Sequence, residues 1–87
     1  MKDFISVYVC PFIIHQQVSV YRDGECIYQT KCPLTILDQE LADLCKKYSI
    51  NRIDIGGDCV YGNKVKQDFQ TVATKFNFNE QVDIYVH

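Results

Sequence analysis

The chain has 87 residues, 47% of them hydrophobic and 23% charged, which is the composition of a folded domain rather than a disordered tail. At this length roughly 60–65% of the unfolded surface is buried on folding, enough for one modest core and not for two. A net charge of −2 with a pI near 5.5 gives no global attraction for nucleic acid, so a basic face would have to be local, drawn from Lys46, Lys47, Arg52, Lys64 and Lys66.

Met1-Lys2-Asp3-Phe4 leads directly into β-forming residues, without the apolar stretch and small-residue cleavage site of a signal peptide. No run approaches the ~20 apolar residues that span a bilayer. The expectation is a cytosolic (cytoplasmic) protein with no membrane partner. Cys10, Cys26, Cys32, Cys45 and Cys59 are odd in number and lack Cys-x-x-Cys spacing, so they read as small buried hydrophobes in a reducing compartment. Neither a disulfide framework nor a metal site is expected, and no cofactor is implied.

Phe4 to Cys10 is rich in β-branched and aromatic residues and predicts a strand. Both of its faces are largely apolar, so it is expected to be central and covered on each side. Pro11 ends it by removing a backbone donor. His15 to Tyr21 and Glu25 to Lys31 predict two strands joined by Asp23-Gly24, a pair that favours a two-residue type I′ turn. That turn sets a register of Arg22 opposite Glu25, Tyr21 opposite Cys26, Val20 opposite Ile27 and Ser19 opposite Tyr28. Arg22 and Glu25 are then expected to form a cross-strand charge pair.

Pro33 closes the third strand, and Thr35 with Asp38 three residues on predicts a capped helix start. Leu37, Leu41, Leu44, Cys45 and Tyr48 recur along one helical stripe, with acidic residues early and basic residues late. Arg52 to Ile55 predicts a short strand stopped by Gly56-Gly57. A second helix is expected from about Asn63, burying Val65, Phe69, Val72, Ala73 and Phe76 and ending at Asn77. Val82 to Val86 is the last expected strand. The order is β-β-β-α-β-α-β in one α/β domain over residues 1–87, with a mixed five-stranded sheet whose second half is parallel.

Three constellations invite a chemical reading. Gly57 to Lys64 has the outline of a phosphate-binding loop, but its lysine is one residue late, no Ser or Thr follows, and Asp58 places a negative charge inside it. His15, opposite Cys32 on the expected register, suggests a Cys/His pair without further ligands or an oxyanion hole. Asp54, Asp58 and Asp83 lie in or beside late strands, where a two-metal nuclease would need carboxylates to converge.

The order of elements resembles the RNase H-like superfamily. The stretch from Val9-Cys10-Pro11 through Val18-Ser19-Val20 to Asp23-Gly24-Glu25 resembles the start of bacterial Holliday-junction resolvases, where a strand ends in Asp-Pro and a glycine turn joins the next two. Ile53-Asp54-Ile55-Gly56 falls where that family places its second acid. The resemblance implies that the catalytic acids would sit at positions occupied here by Cys10 and Gly56. It also implies a later helix with further carboxylates, beyond His87. The expectation is therefore a non-catalytic interaction protein of a compact kind common in phages and mobile elements, forming a homodimer or binding another protein. Its open edge would be the last strand, with Val82, Ile84 and Tyr85 at the contact. The alternative is a non-cleaving nucleic-acid-binding accessory domain using Arg52, Lys64 and Lys66. A small enzyme using Cys or His chemistry is the third reading.

Overall fold

The computed structural model describes residues 3–75 and 82–87. It is an α/β fold with strands β1 (Phe4–Val9), β2 (His15–Arg22) and β3 (Glu25–Pro33), a 3-10 turn at Leu34–Ile36, helix α1 (Leu37–Tyr48), strand β4 (Arg52–Gly57), helix α2 (Cys59–Lys75) and strand β5 (Asp83–Val86). The five strands form one mixed sheet in the order β3-β2-β1-β4-β5. β1 pairs antiparallel with β2 and parallel with β4, and β4 pairs parallel with β5.

Alternation along the strands divides the sheet into two unlike faces. Ile5, Val7 and Val9 of β1, Val18 and Val20 of β2, and Ile53 and Ile55 of β4 are buried together with α1 and α2. α1 contributes Leu37, Leu41, Leu44 and Cys45, and α2 contributes Val65 and Phe69. The opposite face carries Phe4, Ser6 and Tyr8 of β1, and no described helix packs on it. The sequence expectation that β1 is covered on both sides is thus corrected: Tyr8 is 61% exposed. Phe4 finds a neighbour within the sheet instead, stacking on Tyr21 with ring centroids 5.0 Å apart.

The hairpin turn has the expected backbone, with φ of 53° at Asp23 and 85° at Gly24, the left-handed pair of a type I′ turn. Arg22 pairs with Glu25 and Tyr21 with Cys26, as expected, and then the register shifts. Ile27 is the extra residue of a bulge, so Val20 faces Tyr28, Ser19 faces Gln29, and His15 faces Pro33 rather than Cys32. The bulge turns Tyr28 toward the core, where it packs beside Tyr48. The expected Arg22–Glu25 charge pair gives way to a longer-range clasp. The Arg22 guanidinium donates to Asp3 Oδ2 at 3.2 Å and to the Tyr48 carbonyl at the end of α1, where a cation also suits the helix dipole.

Both helix starts differ from the sequence reading. Thr35 lies inside the 3-10 turn, and α1 begins after Ile36 with no side-chain cap. Pro33 fixes an extended backbone immediately before that turn, which leaves Thr35 too early to cap Leu37. β4 runs through Gly56 and Gly57, and α2 starts at Cys59 rather than near Asn63. Asp58 is the cap, its Oδ1 accepting the N–H groups of Val60 and Tyr61 at 3.0 Å each. Gly62 is then a buried helical position: a Cβ there would lie 3.1 Å from side-chain carbons of both Ile55 and Val86. Phe76 and the expected helix end at Asn77 lie outside the described residues. Val82 precedes β5, which begins at Asp83.

Candidate functional site

β1 and β4 run parallel, so their carboxyl ends open on the same side of the sheet, the usual place for ligands in open α/β sheets. The junction between them is tight. Gly57 has φ of 93°, and a Cβ there would run into the Val9 carbonyl. That carbonyl accepts the Asp58 N–H at 2.9 Å. The first turn of α2 is thereby held against the end of β1, next to the loop that leads into β2.

Gln16 braces this loop. Its side chain is fully buried, with Oε1 accepting the Cys10 N–H at 2.7 Å and Nε2 donating to the Ile13 carbonyl at 3.0 Å. The Ile13 N–H closes back on the Cys10 carbonyl at 3.3 Å. A buried amide satisfied by two loop backbone groups fixes the segment in one shape. What that shape displays is apolar: Phe12 is 92% exposed, Ile14 79% and Ile13 49%. Across the junction, Val60 and Tyr61 are 73% and 39% exposed. Among the described residues, five of the nine exposed large hydrophobics therefore gather at this one end. A cleft of about 150 Å³ opens beside them, lined by Leu34, Thr35, Tyr61, Lys64, Val65 and Asp68.

The carboxylates do not converge here. Asp58 is occupied in capping α2, and Asp54 accepts from Arg52 Nε at 3.1 Å on the uncovered face, with His87 Nε2 3.9 Å away. Asp83 is exposed on β5. Among the described residues no group of three or more His, Cys, Asp and Glu could hold a metal ion. Cys10 is half-buried at the loop, and Gly56 pairs with Tyr8 in the β1–β4 ladder.

Of the three cations singled out from the sequence, Arg52 and Lys66 both border Tyr85, and Lys64 lies at the cleft. Arg52 stacks over the Tyr85 ring at 4.6 Å on the uncovered face. Lys64 lines the cleft and pairs with Asp68 at 2.9 Å, and Lys66 lines a groove of about 240 Å³ between α2 and β5. That groove also contains Val82, Ile84 and Tyr85, the residues expected at the dimer edge. His15 is exposed at the start of β2, and Cys32 faces Gln16 rather than His15.

The cysteines divide into classes that the sequence did not separate. Cys32 and Cys45 are buried, Cys10 is half-buried, and Cys26 and Cys59 are exposed, so the expectation of buried thiols is corrected for the last two. Burial, followed by the nearby carboxylates of Glu40 and Asp38, pushes the Cys32 thiol up to about 11. It is a neutral core side chain, with Sγ 3.4 Å from the Pro33 carbonyl.

Sequence reasoning missed Phe12, Ile13 and Ile14. The signal was present as three consecutive large apolar residues directly after a proline, too few for a further strand and unusual in a loop. Among the described residues no helix is long and apolar enough to cross a membrane. No protein-family model matches the chain, and no curated protein matches it.

Proposed function

We propose that this chain is a non-catalytic protein-interaction module built on an RNase H-like core. A central β1 flanked by an antiparallel hairpin on one side and parallel β4 and β5 on the other supports the RNase H-like reading. Cys10 and Gly56 stand where the resemblance puts catalytic acids, and neither can hold a hard divalent cation as a carboxylate does. The observation that carries the proposal is the composition of this end of the sheet: exposed Phe12, Ile14 and Val60, with the Asp58 carboxylate spent on a helix cap. Apolar surface concentrated in this way marks a place where another macromolecule docks.

The β5 edge offers a second route to association. Pairing two β5 strands about a two-fold axis would place Ile84 and Tyr85 at the contact and continue the sheet. The nucleic-acid reading draws less support, because Arg52 and Lys64 are paired with carboxylates and Lys64 lines a different recess from Lys66. A cleavage assay tests the absence of catalysis. With Mg²⁺ or Mn²⁺, four-way DNA junctions and RNA–DNA hybrids should remain intact. Metal-dependent cleavage that disappears in Asp54→Asn would overturn the proposal.

A further inference from the structure

The apolar end carries both a projection and a recess. The projection is Phe12, raised on a loop that the fully buried Gln16 holds by both its carbonyl and its amide. The recess is the cleft between the 3-10 turn and α2, with Leu34, Tyr61 and Val65 among its walls. The two lie at the same end of the molecule. His15 pairs with Pro33 in the antiparallel ladder, so Ile14, just before His15, and Leu34, just after Pro33, leave the sheet at the same end. Tyr61 hangs from Asp58, which is bonded to Val9. At about 150 Å³, the recess has the volume of a cavity that accepts a benzene-sized ring.

We propose that this end is a self-recognition surface, in which Phe12 of one copy enters the cleft of a second copy while the second copy's Phe12 enters the first. This inference rests on the reading of the chain as an interaction module and names its partner. A surface bearing both projection and recess is self-complementary about a two-fold axis, the arrangement that an isologous dimer requires.

Area and charge agree. With aromatic side chains offering roughly 150–250 Å² each when fully exposed and Ile and Val somewhat less, the five residues at their observed exposures present on the order of 600 Å² per protomer. A two-fold pair would bury about 1,200 Å², where specific interfaces begin. None of the five is charged, so two copies meet without apposing like charges at the centre. The charged groups that line the cleft, Lys64 and Asp68, are already paired within one protomer. Because the Gln16 clasp and the Asp58 cap fix both halves beforehand, little ordering cost is added on association.

Light scattering and sedimentation over a concentration series test this with wild type, Phe12→Glu and Tyr85→Lys. Phe12 is almost fully exposed, so its replacement leaves the fold intact, which circular dichroism checks. The expected result is a wild-type dimer whose dissociation constant rises at least about 30-fold in Phe12→Glu, the size of a hot-spot loss, and stays within about threefold in Tyr85→Lys. Dimerisation that survives Phe12→Glu overturns the inference. If Tyr85→Lys abolishes that dimer, the contact belongs to the β5 edge, and the interaction-module reading stands while this inference falls. A wild type that is monomeric throughout also overturns the inference, and the cleavage assay continues to judge the broader reading.

Discussion

The two faces of the sheet are built from alternate residues of the same strands and are stabilised in different ways. On the covered face, β1 and β4 supply Ile5, Val7, Ile53 and Ile55, all at most 1% exposed beneath two helices. On the other face the same strands supply Phe4, Ser6, Tyr8, Arg52 and Asp54. These gain what they can from neighbours within the sheet, as in the Phe4–Tyr21 stack and the Arg52–Tyr85 contact. The first face is held by removal of apolar area from water, and the second by cross-strand pairs worth roughly 0.2–1 kcal/mol each. Apolar character in a strand residue thus records its pairing partners as well as any layer above it.

Truncation on the covered face should produce the largest effects. Leu41 is fully buried and Phe69 is 2% exposed, so Leu41→Ala and Phe69→Ala should each destabilise by about 2–5 kcal/mol, with cavity cost added to lost transfer energy. Denaturant titration would measure this as a fall in midpoint at an unchanged slope. A change near zero for either variant would mean that the helices do not seal this face.

How far the sequence revealed this contrast depends on how local each cause is. The stripes of α1 and α2, the turn at Asp23-Gly24 and the apolar β4 were legible because their signals repeat within a few residues. The start of α2 was not, because Gly57 and Gly62 are glycines for different reasons. Gly57 needs positive φ and room for the Val9 carbonyl, whereas Gly62 needs only clearance from Ile55 and Val86. Read together from the sequence they look like one loop. The register slip at Ile27 was hidden for a similar reason, since a bulge is fixed by what Tyr28 packs against. The candidate site was the least legible part. The apolar run after Pro11 was visible in the sequence, but its exposure was not, because that depends on Gln16 being buried and spent on the loop behind it.

The covered face should also respond to pH through Cys32, with a smaller effect than a core truncation. Its thiol, ordinarily near 9.0, is raised to about 11 by burial and then by Glu40 and Asp38. The raised value belongs to the folded state. Between pH 9 and 11 the unfolded chain therefore releases this proton while the folded chain keeps it. Its contribution to stability is complete below pH 9 and declines as pH rises toward 11. Other groups titrate in the same range, so the useful quantity is the difference between wild type and Cys32→Ala. The wild type should lose stability more steeply across that window. Parallel slopes would mean that the thiol is ionised within the fold, and that the layer over β3 admits water.

The smallest effects are expected on the uncovered face, and they probe it most directly. Tyr8 is 61% exposed and lies beside Gly56, which offers it no side chain to pack on. Tyr8→Ala should therefore change stability by no more than about 0.5 kcal/mol, the range of ordinary surface substitutions. Phe4 differs because of its stack on Tyr21, and Phe4→Ala should cost more than Tyr8→Ala by about 0.5–1.5 kcal/mol, the worth of an aromatic pair beyond its area. A double-mutant cycle with Tyr21→Ala separates that coupling from the loss of β propensity at each site. If Tyr8→Ala instead costs as much as Leu41→Ala, and the cost grows with protein concentration, a second molecule covers this face in solution. The contrast between the faces would then belong to the monomer alone.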